Sequence, residues 1–422
     1  MKSTDHPRRE FIKRLSLIAG STVMAGSLPW INLLKAEQAN RVSPSDKVRL
    51  GVVGVGSRGR LLLLYLLQMP NVEIVAVCDD YQPHYDRAIE MTSGKAKAFK
   101  DYRKMLEINE LDAVVIAVPL HLHAKITKDA LFSGRHVFCE KCMARTVEGC
   151  VEMKNAQKET GKILHIGYQR LFNIVYLEAL ERIRSGEIGK ISQIRAYWHR
   201  NNDWRRPVPS PELERRINWR MYNEYSRGLM TELACHQLQV ANWILEETPS
   251  SVMGSGGINY WNDGREVYDN VNLVYTYPSG VHVVYDSMIS NRHYGLEEQI
   301  LGDKGTMELE NGKIYSENPP PAPGIVQLLG DIERKVFDTI PLGGASWIQE
   351  TASKNKGDYI VDEYPLPGDT RLQMEGFVES VKKGDPVPML LREGFNASIA
   401  ALLGHEAMEK REIVLFPEDL KI

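Results

Sequence analysis

Glu232 and His236 have the residue types and the spacing of an acid–base pair. They stand four residues apart in a helical stretch, 230–245, so both side chains project from one face of the helix. The imidazole there can take the proton of a hydroxyl group, and the carboxylate can orient the imidazole or contact a substrate. The same spacing also fits an exposed helix pair or a hydrogen-bonded core histidine, so the interpretation depends on what else meets these side chains.

Lys141 is a third candidate, because it directly follows Glu140 at the end of a predicted strand, 136–139. Open α/β sheets bind ligands at the carboxyl ends of their strands. A lysine at that edge can hydrogen-bond a reacting oxygen and stabilise negative charge on it. A strand-end lysine is otherwise a solvated cap. Together these features predict three catalytic residues, Lys141, Glu232 and His236.

A glycine-rich turn follows the first apolar run of the chain and precedes a helical run. It has the order G-x-G-x-x-G, and its residues are Gly54, Gly56, Ser57, Arg58 and Gly59. In a dinucleotide-binding turn, the first glycine permits the tight bend, the second lets a pyrophosphate approach, and the third lets the helix pack on the strand. Free N–H groups at the helix start can then bind the phosphates. All five residues are therefore predicted to bind the cofactor.

Asp79 closes the second predicted strand, 72–78, twenty residues after Gly59. A carboxylate at that position can accept both hydroxyls of the adenosine ribose, and it would repel a 2′-phosphate. This favours NAD as the cofactor. The nearby Arg58 leaves NADP possible.

The rest of residues 47–167 predicts a doubly wound Rossmann domain. Residues 113–118 are continuously apolar and rich in β-branched side chains, as in a strand covered on both faces of a parallel sheet. Polar side chains follow this strand and the strand at 136–139, at the edge where ligands bind. The predicted cofactor contacts at this edge are Pro119, His121, His123, Glu140 and Lys141.

Residues 168–422 have a different pattern, which predicts a second domain. Apolar and polar residues alternate with period two between glycine, asparagine and aspartate turns, which indicates a largely antiparallel sheet. The alternating segments are 191–198, 252–260, 271–277, 281–288 and 298–301. Two helices, 370–383 and 392–410, close the chain. The predicted fold is α/β, with an N-terminal Rossmann domain and a C-terminal α+β domain.

Aromatic and hydrogen-bonding side chains cluster in and after the crossover between the two domains. Residues 197–205 read YWHRNNDWR. Sugars are bound by such mixtures, with aromatic faces against C–H surfaces and planar polar groups bridging hydroxyls. Oligomer interfaces are enriched in the same residue types, so both interpretations stay open. The substrate contacts predicted from the residues themselves are Trp204, Arg205, Glu232, His236 and His293.

The composition excludes several classes of protein. The 52 basic and 55 acidic residues give a formal net charge of −3 with no long single-sign block, so no nucleic-acid groove is expected. The five cysteines are too sparse for a disulfide scaffold. Cys139 and Cys142 form a C-x-x-C pair, but no second pair follows at zinc spacing. A pair of buried thiols is therefore favoured over metal or redox chemistry, and no metal site is predicted.

Residues 1–40 have the features of an export signal followed by a linker. Residues 8–13 read RREFIK, which resembles the twin-arginine pattern R-R-x-F-[IL]-K. The weakly apolar stretch that follows is too interrupted by glycine, serine and proline to predict a membrane span. The alternative is a basic amphipathic arm. Export would place the protein in the periplasm and make the twin-arginine machinery a partner.

Four stretches together resemble the Gfo/Idh/MocA oxidoreductase family, over nearly all of the chain after residue 47. They are the glycine turn, the strand end at residues 119–123, the pair Glu140-Lys141, and the helix 228–236. The resemblance implies that Lys141 and His236 flank the substrate carbon facing the nicotinamide. It also implies that Gln169 contacts the cofactor and that Tyr168 and Arg170, in the same turn, contact the substrate. The second domain, residues 168–422, is then a substrate and oligomerisation domain whose open sheet joins subunits, so a homodimer or homotetramer is expected.

The chain departs from the family pattern at three positions. Cys142 stands where the family usually has proline, Glu232 replaces the commoner aspartate, and Gln239 stands where an acid often follows the histidine. None of these departures removes the lysine or the histidine. Hydride chemistry therefore remains available.

These features predict an exported NAD-dependent oxidoreductase that acts on a secondary hydroxyl of a sugar or glycoside. An exported enzyme meets little free nicotinamide cofactor, so we expect the cofactor to be held tightly. Two alternatives stay open. One is an NAD-dependent glycosidase that works by transient oxidation, elimination and re-reduction, and the other is a non-catalytic protein that binds a sugar and a nucleotide.

Overall fold

The computed structural model describes residues 47–317, 331–332, 335, 356–362 and 365–420. The predicted export signal at residues 1–40 lies outside the described residues. Within them, no helix combines the length and the apolar character needed to cross a membrane.

The N-terminal half contains a sheet of six strands. They are β1 (Val48–Val53), β2 (Val72–Cys78), β3 (Lys97–Phe99), β4 (Ala113–Ile116), β5 (His136–Cys139) and β6 (Leu164–Ile166). The strand order is β3-β2-β1-β4-β5-β6, and all neighbours run parallel. Because the order reverses between β1 and β4, the crevice beyond their carboxyl ends is the expected ligand site. The predicted doubly wound domain is confirmed.

Five helices connect these strands: α1 (Ser57–Leu66), α2 (Gln82–Met91), α3 (Tyr102–Leu106), α4 (His123–Phe132) and α5 (Val147–Thr160). Helix α5 has a capped start, because the Thr146 hydroxyl accepts the N–H of Gly149 at 3.1 Å. Helix α1 follows Gly56, and no side chain of the described residues caps its first turn. The N–H groups at the start of α1 therefore remain available to a ligand.

The second half contains a sheet of nine strands. They are β7 (Ile191–His199), β8 (Ser251–Gly257), β9 (Asn270–Thr276), β10 (His282–Met288), β11 (Leu296–Gly302), β12 (Gly305–Glu308), β13 (Lys313–Ser316), β14 (Asp358–Tyr359) and β15 (Val414–Leu415). Their order is β14-β13-β12-β11-β7-β10-β9-β8-β15, and β7 and β10 form the one parallel pair among these described strands. The mostly antiparallel sheet is as predicted. Strands β12 to β15 were not predicted, because each has only two to four residues, too few to show an alternating period.

The helices of the second half are α6 (Ile174–Arg184), α7 (Glu214–Ile217), α8 (Cys235–Leu245), α9 (Asp369–Lys383) and α10 (Pro388–Lys410). The predicted helix 230–245 is not uniform, because a π-helical turn, Met230–Ala234, precedes α8. Helix α10 starts at Pro388, earlier than the predicted residue 392. Proline fits the first turn of a helix, where its missing N–H would have no helical partner.

Helix α9 returns to the N-terminal half and covers its parallel sheet. Met374, Phe377 and Val378 share one apolar core with Leu62 and Leu63 of α1. The ring of Phe377 lies 5.7 Å from that of Phe138 on β5. The C-terminal part of the chain is therefore needed to bury one face of the nucleotide-binding sheet.

We predict that Phe377→Ala lowers the free energy of unfolding by about 3–5 kcal/mol, because it leaves a cavity where a fully buried ring packed. The measurement is the midpoint of urea unfolding at constant slope. Lys382→Ala, at an exposed position of the same helix, is the control and should change stability by less than about 0.5 kcal/mol. Equal midpoints for both variants would show that α9 does not contribute to this core.

Candidate active site

A cavity of about 1170 Å³ lies along the carboxyl edge of the parallel sheet. Asp79, which follows β2, and Lys141, which follows β5, both line it, so it crosses the ends of β1 and β4 between them. Glu232 and His236 contribute to its wall from the second half of the chain. Small-ligand pockets usually measure about 300–1,000 Å³, so this one has room for an extended ligand and a second molecule.

The glycine turn forms the floor of the cavity at the start of α1. Gly54 has φ of +82°, and a Cβ on Gly59 would lie 1.9 Å from the carbonyl oxygen of Gly54. These two positions therefore require glycine for the backbone itself. A Cβ on Gly56 would meet nothing closer than His84 at 3.4 Å, so this glycine leaves the cavity open. The turn fits a pyrophosphate, with the uncapped N–H groups of α1 directed at it.

Asp79 is held at the end of β2 by backbone donors. The N–H of Val55 donates to its Oδ2 at 2.8 Å, and the N–H of Tyr81 donates to its Oδ1 at 2.9 Å. Burial opposes ionisation, but the hydrogen bonds from His84, Tyr81 and Val55 outweigh it and lower the pKa of Asp79. An ionised carboxylate here can accept ribose hydroxyls and repels a 2′-phosphate.

Arg58 is engaged away from Asp79. Its Nε donates to Oε1 of the buried Glu140 at 2.7 Å, and its Nη1 donates to the hydroxyl of Thr370 at 3.4 Å. This pairing stabilises a carboxylate that would be costly to bury without a partner. Arg58, whose charge could have bound the 2′-phosphate of NADP, is thus paired with Glu140 at the end of β5. The geometry therefore favours NAD.

The two histidines that follow β4 have different surroundings. The ring of His121 lines the cavity 4.7 Å from the ring of Tyr225, and burial lowers the pKa of His121. The two ring nitrogens of His123 face the backbone carbonyl oxygens of Cys142 at 2.8 Å and Val118 at 3.0 Å. His121 is therefore free to meet a ligand, whereas His123 holds the ends of two strands together.

Pro119 and Gln169 complete the predicted cofactor contacts, and both line the cavity. The side-chain oxygen of Gln169 is buried and has no hydrogen-bond partner among the described residues. A buried acceptor without a partner is costly unless a ligand supplies a donor. The amide of Gln169 is thus suited to a ligand in the cavity.

Lys141 is fixed by the π-helical turn, Met230–Ala234. Its Nζ donates to the carbonyl oxygen of Glu232 at 2.7 Å and reaches that of Thr231 at 3.4 Å. A π-helical turn interrupts the regular ladder of helical hydrogen bonds, which leaves carbonyl groups for other donors. The peptide bond between Lys141 and Cys142 is cis, although Cys142 replaces the usual proline. The lysine therefore enters the cavity from β5 and is anchored on the opposite wall.

Glu232 pairs with Arg220 instead of His236. The Nε of Arg220 donates to Oε2 of Glu232 at 2.7 Å, and no hydrogen bond joins Glu232 to His236 in the described structure. Burial opposes ionisation of Glu232, but the charges of Arg220 and Lys141 outweigh it and lower the pKa of Glu232. The carboxylate lines the cavity in its ionised form and can accept a hydrogen bond from a substrate hydroxyl.

His236 lies on an aromatic support. Its ring centre is 5.6 Å from that of Trp198 on β7 and 6.1 Å from that of Tyr168. Its Nδ1 is buried and lacks a hydrogen-bond partner within the described part of the chain. Burial lowers the pKa of His236 to well below its ordinary value, and the charges that add to this effect belong to Lys141, Arg170, Arg58 and Arg200. The imidazole is therefore neutral near pH 7, as a general base requires.

Five of the predicted substrate contacts do not line this cavity: Tyr168, Arg170, Trp204, Arg205 and His293. Tyr168 is fully buried below His236, and its hydroxyl meets that of Ser398 at 3.1 Å. Arg170 is also buried, between Glu298 at 3.4 Å and Glu310 at 2.5 Å.

The other three lie farther along the chain. Arg205 pairs with Glu214 and with Asp263. Trp204 lies in the same loop and has φ of +62°. His293 is exposed beside Tyr294. The structure therefore brings the nucleotide turn together with Lys141, Glu232 and His236, and leaves these aromatic and basic residues outside.

The sequence analysis missed several cavity residues just beyond the aromatic run: Arg206, Trp219, Arg220 and Tyr225. They belong to the long connection between β7 and the π-helical turn. The sequence did contain one indication of this wall, the high density of arginines in residues 205–220. These arginines follow neither a helical nor a strand period, so no face could be assigned to them. Among the described residues, no group of three His, Cys, Asp or Glu side chains is arranged for a metal ion.

Two family models match the chain. The model described as "Oxidoreductase family, NAD-binding Rossmann fold" matches residues 48–168. The model described as "GFO/IDH/MocA C-terminal domain" matches residues 176–308. Together they span more than half of the chain, and the first confirms NAD as the predicted cofactor.

Individual proteins are also similar to this chain in sequence or in fold. An inositol 2-dehydrogenase of Salmonella paratyphi B is 26% identical over 271 residues, which cover 62% of this chain and 74% of the relative. A levoglucosan dehydrogenase solved with NADH is 18% identical with a TM-score of 0.69, covering 89% of this chain and 100% of that one. A scyllo-inositol dehydrogenase from Lactobacillus casei, solved with NAD(H) and scyllo-inositol, is 18% identical with a TM-score of 0.65, covering 87% and 99%. At this identity the structural likeness shows the fold alone.

We predict that the ring of His236 does not titrate near pH 6.5, because burial and the surrounding cations hold its pKa well below the ordinary value of about 6.5. The measurement is the pH dependence of the ring signal in NMR, assigned by its absence from His236→Gln. The folded protein binds this proton more weakly than the unfolded chain does, so the contribution of His236 to stability is present above about pH 6.5 and is lost as the pH falls. An inflection of the ring signal near pH 6.5 would contradict the described electrostatics.

Proposed function

This chain belongs to the Gfo/Idh/MocA oxidoreductase family, and we propose that it oxidises a secondary hydroxyl of a sugar, a glycoside or an inositol-like polyol, or reduces the corresponding ketone. The observation that carries the proposal is that one cavity contains the dinucleotide turn together with Lys141, Glu232 and His236. The relatives support the substrate class, because their names describe inositol and anhydrosugar dehydrogenases.

Each of the three residues has one role in the proposed reaction. The neutral imidazole of His236 takes the hydroxyl proton on a ring nitrogen, while Lys141 donates a hydrogen bond to the same oxygen and stabilises its developing negative charge. The ionised Glu232 accepts a hydrogen bond from a neighbouring hydroxyl and fixes the orientation of the ring. NAD supplies the acceptor for the hydride that leaves the same carbon, so the alcohol loses one proton and one hydride and becomes a ketone.

The positive charge of Lys141 favours loss of the proton from the reacting oxygen. Lys141 is anchored on two backbone carbonyl groups and not on a carboxylate, so its charge is not neutralised by an ion pair within the described residues. The carboxylate of Glu232 is paired with Arg220 instead. The oxygen that loses the proton therefore meets a positive charge that is already in position before the reaction. Fewer side chains have to move as negative charge develops on that oxygen.

We predict that Lys141→Met and His236→Gln each lower kcat/KM by about 10²–10⁴, since each variant removes a proton-transfer or oxyanion-stabilising group. The assay is the absorbance of reduced nicotinamide with a panel of inositols, sugars and nitrophenyl glycosides, first without added cofactor and then with NAD. Lys158→Met, at an exposed position of α5, is the matched control and should retain full activity.

The same assay separates the proposal from its alternatives. Release of nitrophenol without net formation of reduced nicotinamide would identify the NAD-dependent glycosidase. Binding of NAD and sugar without any oxidation or release, in both wild type and variants, would identify the non-catalytic protein. Formation of a keto product with reduced nicotinamide is the result expected of the dehydrogenase.

We also propose that the protein is exported to the periplasm by the twin-arginine machinery, on the basis of the RREFIK run at residues 8–13. Such machinery carries folded proteins, which suits a protein whose cofactor binds before export. The expected homodimer or homotetramer likewise stays a prediction.

We predict that the double variant Arg8→Lys, Arg9→Lys stays in the cytoplasm, because the twin-arginine receptor reads the guanidinium pair and not the charge alone. The measurement is cell fractionation with an antibody against the C-terminal half. Arg14→Lys, one residue beyond the pattern, is the control and should be exported like the wild type. Periplasmic recovery of the double variant would exclude this route.

A further inference from the structure

We propose that Arg206, which comes from the second half of the chain, binds the pyrophosphate of the dinucleotide across the cavity from the glycine turn. The inference rests on the proposed nucleotide function and adds a phosphate contact that lies outside the Rossmann domain. It starts from the position of the Arg206 guanidinium group and from the absence of a carboxylate partner for it among the described residues.

Arg206 is positioned by hydrogen bonds of both its side chain and its backbone. Its Nη1 lies 3.4 Å from the hydroxyl of Ser57, the first residue of α1. Its backbone is held by the buried Asn218, whose Oδ1 accepts the N–H of Arg206 at 2.7 Å and whose Nδ2 donates to its carbonyl oxygen at 3.0 Å. The guanidinium therefore reaches the place where the uncapped start of α1 is expected to bind a pyrophosphate.

The charge of Arg206 distinguishes it from its neighbours. The other arginines of residues 205–220 each have a carboxylate partner: Arg205 with Glu214, Arg215 with Glu266, Arg216 with Asp80 and Arg220 with Glu232. Within the described part of the chain, Arg206 has no such ion pair. Its side chain is exposed and lies near Arg220 and Arg60, and partial desolvation followed by the charges of these two arginines lowers the pKa of Arg206. An anion in the cavity would supply the missing negative charge.

A second contact fixes the same segment over the cavity. The Nη2 of Arg216 donates to Asp80 at 2.5 Å, and its guanidinium lies over the ring of Tyr81. Asp80 and Tyr81 directly follow Asp79, the predicted ribose ligand. Residues 206–216 therefore cross from the glycine turn to the ribose end, so a dinucleotide below them is enclosed between α1 and this segment. Such an enclosure is consistent with the expected tight retention of the cofactor.

An acidic group on the substrate is the other anion that Arg206 could bind. Arg206 is close enough to Arg220 and Glu232, at the catalytic end of the cavity, for their charges to act on it. The contact with Ser57 favours the pyrophosphate, since Ser57 belongs to the nucleotide turn and not to the catalytic end of the cavity. ADP-ribose separates the two cases, because it contains the pyrophosphate and both riboses but no nicotinamide.

The test measures the Kd of NAD and of ADP-ribose by calorimetry, for the full-length protein freed of nucleotide. We expect Arg206→Gln to raise both Kd values by about 10- to 100-fold, the usual loss for a charge-assisted hydrogen bond. Arg206→Lys should recover part of the affinity, because an ammonium replaces the charge but not the planar pair of donors. Arg87→Gln removes an exposed arginine on α2 and should leave both Kd values unchanged. Equal unfolding midpoints without nucleotide would show that all variants fold.

Three results would overturn the inference. Unchanged Kd values for Arg206→Gln would exclude the contact and leave the proposed function intact. A loss for NAD without a loss for ADP-ribose would place Arg206 at the nicotinamide. An unchanged NAD affinity with a raised KM for the sugar would assign it to the substrate. Failure of the wild type to bind either nucleotide would instead remove the proposed function itself, so the two failures are distinguishable.

Discussion

The contact between Lys141 and the π-helical turn is the interaction on which the rest of the site depends. Lys141 belongs to the end of β5 in the parallel sheet, whereas the carbonyl groups of Thr231 and Glu232 belong to the second half of the chain. A hydrogen bond from a charged donor stabilises by about 1.5–3 kcal/mol, and here it joins the two halves where the reacting groups must meet. The same turn directs Glu232 into the cavity and starts the helix that carries His236. One contact therefore sets the relative positions of all three groups.

Burial and neighbouring cations together set the charge states in the cavity. Burial disfavours the charged form of both Glu232 and His236, yet Glu232 is ionised and His236 is neutral. The difference is that cations surround both groups, which stabilises a carboxylate and opposes an imidazolium. A site with an ionised acceptor, an anchored ammonium and a neutral imidazole can bind a polyol and remove its proton without a prior proton transfer.

The predicted substrate contact Arg170 and two residues of the aromatic run at 197–205 support His236 from behind. Trp198 lies against the imidazole, and the guanidinium groups of Arg170 and Arg200 lie over its ring at 5.5 and 4.8 Å. Arg170 is in turn paired with Glu298 and Glu310, so a buried network holds the aromatic ring in place. Cations stacked on an indole stabilise it by about 0.5–2 kcal/mol each, depending on how far they are desolvated. The aromatic and basic composition near the crossover is thus used largely for support, and Trp219, Arg220 and Tyr225 line the cavity instead.

The sequence by itself determined the features that depend on short spacing. The glycine turn, Asp79 at the end of β2, Lys141 at the end of β5 and the alternating strands all follow from local periods and steric rules, and the structure has each of them. Only the tertiary structure decided which distant residues pair: Arg58 with Glu140, Arg220 with Glu232, and Arg206 with Ser57. The burial of Tyr168 and Arg170 was decided in the same way. The physical reason is that a local pattern shows which face a side chain occupies, whereas its partner depends on how separate elements pack, which no period in the chain records.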